Sequence, residues 1–268
     1  MPTYSLILEY DGTDFAGWQI QPSVRTAMGV FGSALHAVTS ESPALTAAGR
    51  TDSGAHAHGQ VVGCTLERAW APDDLRNALN ATLPADLAVR SVALRHDGFH
   101  ARRDAVERTY RYLVVCRDGR APVMRRNAWT VRGPLDLDAM REAAANLVGT
   151  HDFAAFGSAP HAGGTTVRHV TSVSVEHNEL GSGEAGEPVL ETVAITVRAD
   201  AFLRGMMRSF TGALVKVGQD RAVPEWVGSL VDTATMRDPS LSVAPARGLH
   251  QWSVRYEPAA AADQELAA

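Results

Sequence analysis

The chain has 268 residues, 45% of them hydrophobic, with 25 basic and 30 acidic side chains and a formal net charge of −5. That length buries a sizeable core and accommodates two modest domains. Cys64 and Cys116 stand far apart in apolar runs, which excludes a disulfide framework or a cysteine metal site, and no stretch approaches the ~20 apolar residues of a membrane span.

The N-terminus, Met1-Pro2-Thr3-Tyr4-Ser5-Leu6, carries no charged region ahead of a long apolar run, so a soluble protein of the reducing cytoplasm, with no membrane attachment, is expected. Thr3 to Tyr10 alternates as a first strand, ended by the turn signal Asp11-Gly12-Thr13-Asp14. Phe15, Gly17 and Trp18 follow in a loop. From Arg25 to Val38, Met28, Phe31, Leu35 and Val38 recur every three or four residues and predict an amphipathic helix over a sheet. Ala44 to Ala48 and Gly59 to Leu66 read as strands on either side of a loop. Pro72-Asp73-Asp74 opens a helix through Asn80, since proline and acids favour a helix start. Leu87 to Leu94 alternates as a strand, which completes the order βαββαβ.

A second cycle follows. Arg108 to Val115 is a β-rich run, Ala128 to Val131 a further short strand, and Leu135 to Val148 a helix. Val167 to Val175 and Val189 to Val197 are strands separated by the glycine-rich loop Leu180-Gly181-Ser182-Gly183-Glu184. Phe202 to Val217 reads as a helix in which Phe202, Met206 and Phe210 form one apolar face. Another helix near Trp226 to Val231 and a strand at Trp252 to Tyr256 close the cycle. The fold class predicted is α+β: two ferredoxin-like units with antiparallel sheets side by side and a cleft between them. Their bounds are residues 1–104 and 105–257, with 258–268 a low-complexity tail expected to fray.

Chemistry concentrates at Gly49-Arg50-Thr51-Asp52-Ser53-Gly54-Ala55-His56, where flanking glycines allow positive φ and close approach of a ligand. Arg50 and Asp52, two apart in an irregular segment, can face one pocket. An Asx-turn, with Asp52 only capping the loop, is the alternative. His56 and His58 lack an evident third ligand for a metal, and Ser53 stands in no nucleophile elbow. Residues 90 to 132 hold eleven arginines against Asp97, Asp104, Glu107 and Asp118, a local +7 that leaves −12 elsewhere and reads as a basic stripe for a polyanion. Tyr110 and Tyr112 share one face of a strand and Arg111 takes the other; aromatics so placed can stack a nucleobase, although Tyr112 reads as core. Arg208 alone would be read as a surface arginine.

Asp11-Gly12-Thr13 with Gly17-Trp18-Gln19, the Asp52 loop, Gly59-Gln60-Val61, Phe99-His100-Ala101-Arg102, Tyr110-Arg111-Tyr112, Asp152-Phe153 and Phe202-Leu203 with Met206 and Arg208 together resemble the TruA-type tRNA pseudouridine synthases across nearly the whole chain. The resemblance implies isomerisation of uridine to pseudouridine at positions 38, 39 and 40 of the tRNA anticodon stem-loop, by a homodimer, without cofactor or metal. It implies that Asp52 is the catalytic aspartate, Arg208 the arginine paired with it, and Tyr110 the base-stacking tyrosine. Arg50 would hold the flipped nucleotide, with His100 and Arg102 also binding substrate. The chain departs from the family at Ser53, Ala55, Gly205 and Ser209, and in reading Thr26-Ala27-Met28 where Gln commonly follows Thr-Val. A non-catalytic RNA-binding protein on the same sheets is the rival from another class; a metal-dependent hydrolase is more distant.

Overall fold

The computed structural model describes residues 1–159, 161, 163–180, 190–232 and 238–257; the glycine-rich residues 181–184 and the tail 258–268 lie outside them. Among the described residues are ten strands and five α-helices, a mixed α+β architecture. No helix among them is long and apolar enough to cross a membrane. The chain divides into two units, Met1–Arg108 with the segment from Gln251 onward, and Thr109–His250.

In the first unit, β1 (Thr3–Tyr10) runs antiparallel to β3 (His56–Thr65) and to β4 (Leu87–Arg95), and β2 (Thr46–Ala47) pairs with β3. The order is therefore β4-β1-β3-β2. Alternation in β1 sends Tyr4, Leu6, Leu8 and Tyr10 into one core. Helix α1 (Ala27–Thr39) lays Phe31 and Leu35 on that core, each burial stabilising by about 1.5–3 kcal/mol. Its N-terminus is set by Thr26, whose hydroxyl accepts from Gly29 N–H. Helix α2 (Pro72–Thr82) starts on its proline and two aspartates and buries Leu75 and Leu79. The end of β10 (Leu249–Tyr256) lies beside β3, and Tyr256 O–H donates to the Ala101 carbonyl at 2.7 Å.

In the second unit, β5 (Ala105–Cys116, from Thr109 on) neighbours β9 (Leu190–Ala199). That strand pairs antiparallel with β8 (Val167–Leu180), which pairs antiparallel with β7 (Gly149–Asp152). Short β6 (Trp129–Val131) joins β5 in parallel. Helix α3 (Leu137–Ala145) is capped by Asp136, whose carboxylate accepts from the Asp138 and Ala139 amides. Helix α5 is Pro224–Ser229.

Helix α4 (Met206–Gly218) differs from the expected helix at 202–217. Phe202 and Leu203 precede it, because Arg204 exchanges backbone hydrogen bonds with Ser158 and Gly205 adopts a left-handed φ of 78°. Burial extends beyond the face of Met206 and Phe210: eleven of its thirteen residues are buried. Phe210 packs edge-on against Phe153 and Phe156, and at Gly212 an added Cβ would meet the Ser242 carbonyl oxygen at 1.8 Å. The segment around Ser242 thus packs directly on the helix backbone. The expected tyrosine pattern holds at Tyr112, which is fully buried and donates its O–H to the Pro245 carbonyl.

Candidate active site

The Asp52 loop is fixed by the segment that precedes α1. Gly17 has φ +90°, and a Cβ on it would stand 2.9 Å from the Thr51 carbonyl oxygen, so only glycine lets these two stretches touch. Trp18 N–H then donates to Thr51 O at 3.2 Å, while the Gly54 amide and the Ser53 hydroxyl both donate to Phe15 O at 3.3 Å. From the core side, Tyr10 and Thr51 share a buried hydroxyl hydrogen bond of 2.8 Å. Tyr10 stacks on Trp18 and meets Phe15 edge-on. Thr51 therefore points inward, leaving Arg50 exposed and Asp52 half-buried on the outer side.

The two ends of the loop are tied as well. Ala48 N–H donates to Val61 O, and Gln60 donates its amide to the Gly49 carbonyl at 2.8 Å. Gln251 in turn donates to Gln60 Oε1 at 3.0 Å. Arg108, 7% exposed, turns its guanidinium onto the carbonyls of Ala48, Ala105 and Arg102. A buried guanidinium bonded to three backbone carbonyls braces the backbone that enters the loop. Ala55 N–H closes the turn on the backbone carbonyl of Asp52, so the loop has a backbone closure of its own beside any Asx contact. His56 begins β3 and its Nδ1 accepts from Gly12 N–H at 3.1 Å, with Asp11 Oδ1 3.2 Å away. His58 instead meets Glu9 at 3.2 Å and the Trp252 ring; burial lowers its pKa, partly opposed by Glu9. The two histidines serve different neighbours.

Of the other residues singled out in the sequence, His100 and Arg102 lie in the turn between β4 and β5. There the His100 ring accepts from the Arg102 and Arg103 amides and its own amide donates to Asp104. Arg102 is exposed. Arg50, Asp52, His100 and Arg102 thus belong to the first unit, and Tyr110 and Arg208 to the second. Tyr110, 7% exposed, stands edge-on to Phe202 with ring centroids 4.6 Å apart. Arg208, in the first turn of α4, donates from Nε to the Ala244 carbonyl at 2.7 Å, and Ala244 N–H donates back to Arg208 O. The expected basic stripe is not uniform: Arg95 bonds Ser5 and lies over Phe99 and Tyr256, and Arg108 is internal. Charge counting misses this because it carries no information on hydrogen-bond geometry. It also gives no role to Arg108, Gln251 or Phe15, whose contribution to the loop is made through carbonyl partners.

A carboxylate on a rigid, glycine-bounded loop can act as a nucleophile or as a fixed negative charge. Curated relatives are similar over nearly the whole chain. The chain is 41% identical to the tRNA pseudouridine synthase A of Syntrophotalea carbinolica over 258 residues, covering 96% of this chain and 98% of the relative. It is 39% identical to that of Geobacter sulfurreducens over 256 residues, covering 96% and 100%, and 41% identical to that of Chloroflexus aurantiacus over 260 residues, covering 96% and 90%. With residues 6–102 and 143–257 matching the model of that same family, the chain belongs to the tRNA pseudouridine synthases.

Proposed function

We propose that this isomerase converts uridine to pseudouridine at positions 38, 39 and 40 of the tRNA anticodon stem-loop, acting as a cytoplasmic homodimer. The reaction breaks the N1–C1′ bond, turns the uracil, joins C5 to C1′, and moves the C5 proton onto N1, so nothing is gained or lost. Asp52 supplies the carboxylate, either bonding covalently to the nucleotide or countering positive charge that develops on the sugar. Arg208 orients that carboxylate, Tyr110 contacts the base, and Arg50, His100 and Arg102 hold the surrounding nucleotides. The observation that carries the reading is the immobilised loop: Gly17, Trp18, Phe15, Tyr10 and Gln60 all fix the backbone around Asp52. Such preorganisation is what electrostatic catalysis requires. Tyr110 is 7% exposed and stands edge-on to Phe202, so base contact requires its neighbours to move, and this proposal includes Phe202 among them.

The order β4-β1-β3-β2, with α1 and α2 as crossovers, supports a ferredoxin-like reading of the first unit, and β5-β9-β8 with α3 and α4 supports it for the second. Mapping pseudouridine in tRNA from cells lacking the protein tests the function. Loss at positions 38 to 40, restored by the wild-type chain, is expected; an unchanged modification pattern would contradict it.

A further inference from the structure

The eleven arginines between residues 90 and 132 differ in what they touch and where they sit. Arg108 donates to backbone carbonyls, Arg95 bonds Ser5 and lies over the Phe99 and Tyr256 rings, Arg90 stands 3.5 Å from Glu9, and Arg111 donates to Thr196. These four are engaged by the fold. Arg102 and Arg103 are exposed in the turn before β5. The remaining five, Arg117, Arg120, Arg125, Arg126 and Arg132, are all exposed on the strap of residues 117–132, where Arg125 also donates to the Pro122 carbonyl of the strap itself at 3.3 Å.

The strap is a built element. Ala121 and Ala128 tuck into a small core with Val115, flanked by Leu113 and Met124. Its turns are closed by Met124 N–H to Ala121 O, and by the Asn127 and Ala128 amides to Met124 O. The outer carbonyls are taken too: His250 Nε2 donates to Asn127 O at 2.9 Å and Arg247 Nε to Ala128 O at 3.3 Å. The backbone is thus held while the arginines project. The strap's one carboxylate, Asp118, lies 3.9 Å from Arg132, with both side chains at least 85% exposed, so it neutralises little. Five arginines against one aspartate leave +4 on sixteen residues of a protein whose total is −5. Spread along a strap, these charges suit phosphates repeated along a backbone better than a single small anion.

We infer that the 117–132 strap is a second tRNA-binding surface, gripping sugar–phosphate backbone without reading bases and using none of the residues assigned to the chemistry. This rests on tRNA being the substrate, as proposed above. Removing one phosphate-gripping arginine should reduce the slope of log K against log salt by about 1.

The test is binding of an unmodified tRNA transcript across a salt series, beside single-turnover pseudouridine formation at saturating enzyme. In R120Q/R132Q the salt slope should fall by about 2 while the single-turnover rate stays at the wild-type value. R120K/R132K should bind as wild type does, since lysine serves a phosphate as a point charge. The control R68Q/R221Q removes the same charge from exposed arginines elsewhere and should keep the full slope. An unchanged slope in R120Q/R132Q, or an equal loss in the control, overturns the inference. Should the wild-type protein form no pseudouridine, the proposed function fails, yet the binding slopes still decide whether the strap grips RNA.

Discussion

The role proposed for Asp52 depends on the backbone that carries it, and the neighbours that fix that backbone are specific atoms. Gly17 is the most exacting of them, with positive φ and a virtual Cβ 2.9 Å from Thr51 O. Gly17→Ala should cost about 1–3 kcal/mol in urea unfolding, because alanine disfavours the left-handed backbone and its methyl group crowds the Thr51 carbonyl. Equal stability of the two proteins would show that the loop tolerates movement there. Arg208 makes a second test at this scale. Its Nε bond to Ala244 O fixes the guanidinium plane, and lysine keeps the charge but has no such fork. Arg208→Lys should slow the single-turnover rate ~10-fold or more, about 1.4 kcal/mol in the barrier, with a smaller change in tRNA affinity. A defect confined to binding would mean that Arg208 grips phosphate instead.

At the level of elements, β7 is tied down by an ion pair. His151 Nδ1 stands 2.6 Å from Asp232 Oδ2, its Nε2 faces the Val148 carbonyl at 3.1 Å, and Asp232 Oδ1 accepts from the Asp152 amide. Both ring nitrogens face acceptors, so the imidazolium is favoured and the His151 pKa rises, chiefly through Asp232; that of Asp232 falls, chiefly through the Asp152 amide and then His151. The His151 contribution is therefore complete below its ordinary value near 6.5 and is lost as pH rises through the raised folded value. The Asp232 contribution is present above the ordinary carboxylate value and is lost as pH falls through its lowered one. Asp232→Asn should lower Tm more at about pH 5.5 than at about pH 8.5. A difference independent of pH would remove the ion pair from the account.

Which elements are legible in the sequence follows from the same physics. Helix α2 can be read because Pro72, Asp73 and Asp74 mark a start that local chemistry dictates. Strand β7, Gly-Thr-His-Asp, cannot, since four residues without alternating apolar side chains give no periodic signal and its order comes from pairing with β8. Helix α4 starts later than its pattern predicts because Phe202, Met206 and Phe210 do fall at helical spacing; the bridge from Arg204 to Ser158 outweighs that pattern. In the site, the motif identifies Asp52 and its glycines, whereas the carbonyl bracing by Arg108 and the burial of Tyr110 depend on distant partners.

At the scale of the whole molecule, a net charge of −5 coexists with exposed arginines, so RNA binding should weaken steeply with salt despite the acidic total. The cysteines are quiet. Burial pushes the Cys64 thiol up to about 12 and Cys116 up to about 11. Neither should react quickly with a thiol reagent at neutral pH until the protein unfolds; rapid labelling of the native chain would contradict their packing. The central claim, that Asp52 acts on the nucleotide from a loop built to hold it, is tested most directly by Asp52→Ala measured for pseudouridine formation and tRNA affinity on the same preparation. The account predicts that product formation is abolished while affinity and Tm stay near wild type; turnover close to wild type would contradict it.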